Sequence, residues 1–146
     1  MARLKLEIEN FDLILKRLDQ LNGNTKPLAE KALIETFNIV QPKAKEAMKN
    51  ANLPAKGKYS NSETVKALKV APKIFWNGDI AEVSVGFDLN NYEDAGFVSI
   101  FLMYGTPKMK PDKKLYDAFY GSRTQKEIAE AQKKVFIDEI ERLSAK

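Results

Sequence analysis

Apolar and charged residues alternate at the start of the chain, with Leu4, Leu6 and Ile8 set against Arg3, Lys5 and Glu7. A period of two predicts a short, half-buried strand. Asn10 is a suitable cap for a helix in which Phe11, Ile14 or Leu15, Leu18 and Leu21 recur at helical spacing, and Asn22-Gly23 offers a left-handed stop. A longer helix is expected from Thr25 to Pro27 onward, carrying a stripe of Leu33, Phe37, Val40, Ala44, Ala47 and Met48. Pro42 removes a backbone donor from it, which predicts a bend or a break. Residues 52–63 (NLPAKGKYSNSE) are rich in Pro, Gly, Ser and Asn and read as a mobile loop.

The clearest local pattern follows. LKVAPKIFW and DIAEVSVGF flank Asn77-Gly78, a favoured dipeptide of two-residue β-hairpin turns. That turn would set Trp76 opposite Asp79, Phe75 opposite Ile80, Ile74 opposite Ala81 and Lys73 opposite Glu82. Leu68, Val70, Ile74, Trp76, Ala81, Val83, Val85 and Phe87 then form the core face. The other face carries Lys73, Phe75, Ile80, Glu82 and Ser84, with Lys73 and Glu82 as a cross-strand ion pair.

After a loop at residues 88–96 comes the apolar run FVSIFLMY, which we read as a short buried helix closed by Gly105. Its aromatics Phe97, Phe101 and Tyr104 sit at helical spacing, and core packing is their default role. Gly105 is expected in a left-handed conformation that closes the aromatic segment, Thr106 to bond nearby backbone, and Pro107 to prevent the helix continuing. Asp112 can cap a helix containing Leu115, Ala118 and Phe119, with Gly121 as its stop. The last helix offers two capping boxes, Ser122 with Gln125 and Thr124 with Glu127, ahead of Ile128, Val135, Phe136, Ile140 and Leu143. Together these elements predict an α+β fold: a small antiparallel sheet with a central β-hairpin, packed against several helices as one domain spanning 1–146.

The 146 residues are 44% hydrophobic and 30% charged, the balance of a globular chain. No apolar run approaches a membrane span. The opening MARLKLEIEN lacks the apolar core of a signal peptide, so synthesis in a cytoplasm is expected. There is no His and no Cys. A Ser-His or Cys-His nucleophile pair, a zinc site with nitrogen or sulfur ligands and an imidazole proton shuttle are therefore excluded. The carboxylates Glu93-Asp94 and Asp138, Glu139 and Glu141 read as loop acidity and a solvated helix face. We expect no enzyme, no cofactor and no metal. The net charge of +4 is spread along the chain; the one local excess is Lys108, Lys110, Lys113 and Lys114, interrupted by Asp112. That makes a small nucleic-acid-binding protein, using these residues with Lys56 and Lys58, the alternative reading.

The order of features resembles a known family, the minor-tail or head–tail joining (tail-completion, neck) proteins of long-tailed phages and prophages. The residues that carry the resemblance are Ile100-Phe101-Leu102-Met103-Tyr104-Gly105-Thr106-Pro107, with Met109 and Pro111 after them. Val83-Ser84-Val85-Gly86-Phe87 lies at a fitting distance before, and the opening LKLEIENFDLILKRLDQL matches the family's first strand and helix. Many relatives have a glutamate where this chain has Met103. The resemblance implies a non-catalytic virion component without cofactor. It would assemble as a ring, sixfold in the particle, with other neck and tail proteins as partners, first in the host cytoplasm and then in the virion. Tyr104, Gly105, Thr106 and Pro107 would be its structural motif. The residues themselves point to Phe75 and Ile80, with Lys56, Lys58 and Tyr59 of the loop, as the assembly interface.

Overall fold

Six helices and three strands follow one another in the computed structural model, which describes residues 2–5, 11–21, 23–78, 80–88 and 90–145. They are β1 (Ala2–Lys5), α1 (Phe11–Gln20), α2 (Thr25–Lys49), α3 (Asn61–Lys66), β2 (Ile74–Asn77), β3 (Ile80–Val85), α4 (Glu93–Tyr104), α5 (Lys113–Tyr120) and α6 (Ser122–Ser144). The fold is α+β, as expected from the sequence. Leu6, Ile8, Asn10 and Asn22, which entered the expectations for the first strand and helix, lie outside the described residues.

The scaffold is α2. Asn24 caps it, its side chain accepting from the Lys26 N–H at 3.2 Å. All six residues of the expected stripe are buried. The helix continues unbroken through Pro42, so of the expected bend or break the break does not occur. Pro42 and Asn38, whose carbonyl loses its helical donor, are both exposed, so water can serve that carbonyl while buried residues hold the helix on either side. The N-terminal half of α2 packs with α1 and α6 through Leu18, Leu28, Ala32, Val135 and Phe136. Its C-terminal half packs with the sheet, α4 and α5 through Phe37, Val40, Met48, Val83, Val85, Phe87, Leu102, Leu115 and Phe119.

The sheet is antiparallel, in the order β1-β3-β2. Its hairpin register differs from the expected one: Ile74 faces Val83, Phe75 faces Glu82, Trp76 faces Ala81 and Asn77 faces Ile80. The turn therefore lies between the paired Asn77 and Ile80, with Gly78 at φ +61°, rather than at Asn77-Gly78; Asp79, expected opposite Trp76, lies outside the described residues. Glycine at the first turn position supplies the positive φ such turns need. Each residue's partner moves by two positions, which preserves the faces but changes the pairs. Ala81, Val83 and Val85 are buried as expected. The Lys73–Glu82 pairing is replaced: Glu82 faces Phe75 on one side and Lys5 on the other, and the Lys73 ammonium lies 5.2 Å from the Phe75 ring centroid.

Two residues of the expected core face are not in the core. Val70 is 94% exposed, because the chain bridges to Phe87 at Leu68, leaves the pairing before Pro72 and enters β2 at Ile74, so the alternation is interrupted there. Trp76 is on the helix side but 37% exposed; at the hairpin tip its indole N–H donates to Glu30 Oε1 of α2 at 2.7 Å. Ser84, expected on the open face, is buried and accepts from Lys69 Nζ at 3.0 Å.

The loop expected over 52–63 ends earlier. Ser60 is buried and caps α3, and Asn61 Nδ2 donates to the carbonyls of Met48 and Ala51, both at 2.8 Å. The polar residues that suggested a loop are the ones that cap a helix. The expected capping boxes of α6 are absent. Thr124 Oγ1 donates to the Asp117 carbonyl and Gln125 Nε2 to the Phe119 carbonyl, so both satisfy the end of α5 instead. Asp112 caps α5 as expected, accepting from the Leu115 N–H at 3.0 Å.

Candidate functional site

The run at 97–104 is helical, and α4 begins four residues before it, at Glu93. It packs on α3 and α5. Gly96, Ser99, Leu102 and Met103 face inward, with Ser99 Oγ donating to the Gly96 carbonyl at 2.7 Å. The other side was expected to be core and is not. Phe97 is 52% exposed, Ile100 38%, Phe101 49% and Tyr104 58%. Their spacing of three and four places them on one helix face, so α4 presents an apolar stripe to solvent. A helix apolar on all sides needs cover on all sides, and the chain supplies it on one. The uncharged run FVSIFLMY carried that signal in the sequence.

Both flanks of the stripe extend it. On one side Tyr59, Asp94, Phe97, Val98 and Phe101 line an open depression of about 570 Å³. Lys58 reaches Asp94 at 3.8 Å and lies 4.9 Å from the Tyr59 ring centroid. Its ammonium is held above the ordinary lysine value, first by its hydrogen bond with Tyr59 and then by the Asp94 charge. On the other side Tyr104 meets Tyr116 edge-on, with centroids 6.2 Å apart, and Tyr116 meets Tyr120 at 5.2 Å. The Tyr120 hydroxyl is raised above its usual pKa by burial and then by hydrogen bonding with Tyr104.

At the end of the stripe the chain turns sharply. Gly105 has φ 75° and ψ 176°, which is positive as expected but outside the left-handed helical region. The Thr106 N–H donates to the Met109 carbonyl at 2.8 Å, the Met109 N–H returns to Thr106 at 3.1 Å, and Thr106 Oγ1 accepts from the Lys108 N–H at 3.2 Å. Pro107 is exposed within this turn. Tyr104, Gly105, Thr106 and Pro107 thus form a closed structural unit whose first side chain belongs to the stripe. Lys108, Lys110, Lys113 and Lys114 follow it, all exposed.

The residues expected to form one interface fall on two surfaces. Lys58 and Tyr59 join the α4 stripe. Lys56 is exposed in the same loop. Phe75 and Ile80, 39% and 52% exposed, lie on the outer face of the sheet and are not among the residues lining the depression beside α4. They share a face without being directly opposed. Among the described residues no carboxylate cluster is placed to hold a metal ion, and no helix is long and apolar enough to cross a membrane. Set against known proteins, the chain matches no family model, no curated protein and no solved structure.

Proposed function

We propose that this protein is a structural subunit of a long-tailed phage or prophage particle, assembling as a ring of its own copies at the head–tail junction or tail end. The observation that carries the proposal is the solvent-facing stripe Phe97, Ile100, Phe101 and Tyr104, which runs directly into the Tyr104-Gly105-Thr106-Pro107 turn. Covering a large apolar side chain contributes about 1.5–3 kcal/mol, and an uncovered stripe leaves that gain for a partner. In this role the chain acts by contact alone, without catalysis or cofactor, and its partners are further copies and other neck and tail proteins. Its gene is then expected beside genes for capsid, adaptor and tail-tube proteins. The experiment is electron microscopy of the purified protein at rising concentration, alone and mixed with the products of those neighbouring genes. Closed rings, or decorated tail and portal assemblies, are the expected result. A wild-type protein that stays monomeric and decorates none of them contradicts the proposal.

A nucleic-acid-binding role has one observation in its favour: the four exposed lysines are flanked by Tyr104 and Tyr116, which are also exposed. Against it, those rings pack edge-on against each other rather than presenting free faces for bases. Salt-dependent retention on single-stranded DNA, lost on replacing Lys108 and Lys110 by Glu, would favour it.

A further inference from the structure

We propose that the groove between α2 and residues 65–70 receives an extended segment of a partner protein carrying acidic and apolar side chains. None of the residues lining this groove belongs to α4, so the inference goes beyond the ring contact and does not depend on it. The groove holds about 760 Å³, within the range of binding clefts. Phe37 and Leu68, both buried, and the half-buried Val65 give it an apolar wall. Val70 stands at its rim, 94% exposed.

Charge selects the sign of the occupant. Lys45, Lys66 and Lys69 line the groove, and none of its lining residues is acidic. Lys69 Nζ donates to the neutral Ser84 hydroxyl at 3.0 Å, which leaves its charge in place. Lys66 meets Glu63 at 2.9 Å, but that pair is exposed, and such pairs contribute little. Asp88, near Lys69, accepts from Asn91 Nδ2 at 2.7 Å and from the Asn90 N–H at 3.2 Å. An occupant with carboxylates is therefore the complementary one.

The backbone selects its form. Pro42 cannot donate to the Asn38 carbonyl, and both residues are exposed along the groove. Beyond Lys69, whose N–H is bonded to Gly86, the backbones of Val70 and Ala71 make no hydrogen bond among the described residues. The chain then enters β2 at Ile74, and β2 is an edge of the sheet. Unpaired backbone beside a sheet edge is a template for strand addition. A small apolar carboxylate would satisfy the lysines and the apolar wall but not these amides.

The test uses the full chain and short labelled peptides. One alternates Glu and Val, a second alternates Lys and Val, and a third is the Glu–Val peptide methylated on alternate backbone nitrogens. Fluorescence anisotropy reads affinity, amide chemical shifts read the place of binding, and decanoate serves as a competitor with no peptide backbone. The inference expects the Glu–Val peptide to bind and to shift the Val70 and Ala71 amides. The other two peptides should bind at least tenfold more weakly. Lys45 is exposed on α2, so Lys45→Glu should keep the thermal midpoint and weaken the Glu–Val peptide at least fivefold. Absence of binding at millimolar peptide, unchanged affinity in Lys45→Glu, or shifts confined to Lys108–Lys114 would each overturn it. Displacement by decanoate together with undiminished binding of the methylated peptide would give the groove to a small apolar carboxylate and also overturn it.

Discussion

The side chain of Gln41, on α2, closes both backbone groups of Gly86 at the end of β3. Its Oε1 accepts from the Gly86 N–H at 2.7 Å, and its Nε2 donates to the carbonyls of Gly86 at 3.2 Å and Lys69 at 2.7 Å. Gly86 has φ +101° as the chain leaves the sheet, and Gln41 is buried. This clamp fixes β3 on α2 where the ladder ends. Gln41→Leu keeps the volume but leaves the Gly86 N–H and the Lys69 carbonyl without this partner, while the Gly86 carbonyl keeps the Lys69 N–H at 2.9 Å; the change is expected to cost about 2–3 kcal/mol in chemical denaturation. A loss below about 0.5 kcal/mol would mean water replaces the clamp.

Gly105 is constrained twice. Its φ and ψ lie in a region open essentially to glycine, and a Cβ there would stand 2.8 Å from the Met109 carbonyl and 2.9 Å from Pro111 Cδ. Gly105→Val is expected to cost about 2 kcal/mol or more and to release the turn that positions Tyr104. Urea denaturation gives the energy. A variant as stable as the wild type would show that the turn refolds without strain.

Glu127 ties α6 to α2, with Lys43 Nζ at 2.7 Å and Arg123 Nε at 3.4 Å. Its carboxyl is held below the ordinary value, first by the hydrogen bond from Lys43 and then, against some desolvation, by the Lys43 and Arg123 charges. A lowered folded-state value contributes stability above the unfolded carboxyl pKa, and that stability is lost as pH falls through the folded value. Thermal midpoints of wild type and Glu127→Gln should therefore differ at neutral pH, with wild type higher, and converge below about pH 4. A constant gap across that range would assign the effect to packing.

The legible parts of the sequence were those where one local rule acts alone. The stripe of α2, the Asp112 cap, the hairpin faces and the positive φ at Gly105 all follow from spacing or backbone chemistry. Where two local solutions compete, sequence does not choose. A turn at Asn77-Gly78 and one beginning at Gly78 both suit a hairpin, and the observed register, with Asn77 facing Ile80, takes the second. Ser60 and Asn61 serve a loop or a helix start equally, and the Met48 and Ala51 carbonyls decide for the helix. The α4 stripe was missed for a different reason. Phe97, Phe101 and Tyr104 at helical spacing signal burial, but periodicity does not say whether the cover comes from the same chain.

Phe75 tests the second surface. It is part-exposed on the outer sheet face, so Phe75→Asp should leave the thermal midpoint within a few degrees of wild type. Closed rings should be lost, as read by mass photometry. Unfolding of the variant would make Phe75 core. Normal rings would remove the sheet face from the assembly and shift attention to the Lys108–Lys114 segment.

Sedimentation velocity of wild type against Phe101→Asp, over a concentration series, tests most directly whether the α4 stripe is a contact surface. Phe101 is half exposed on its helix, so a carboxylate there faces water in the monomer and is buried unpaired in any assembly that covers the stripe. The account predicts concentration-dependent association for wild type, and a folded monomer with an unchanged thermal midpoint for Phe101→Asp. Association of the folded variant at wild-type strength would contradict it.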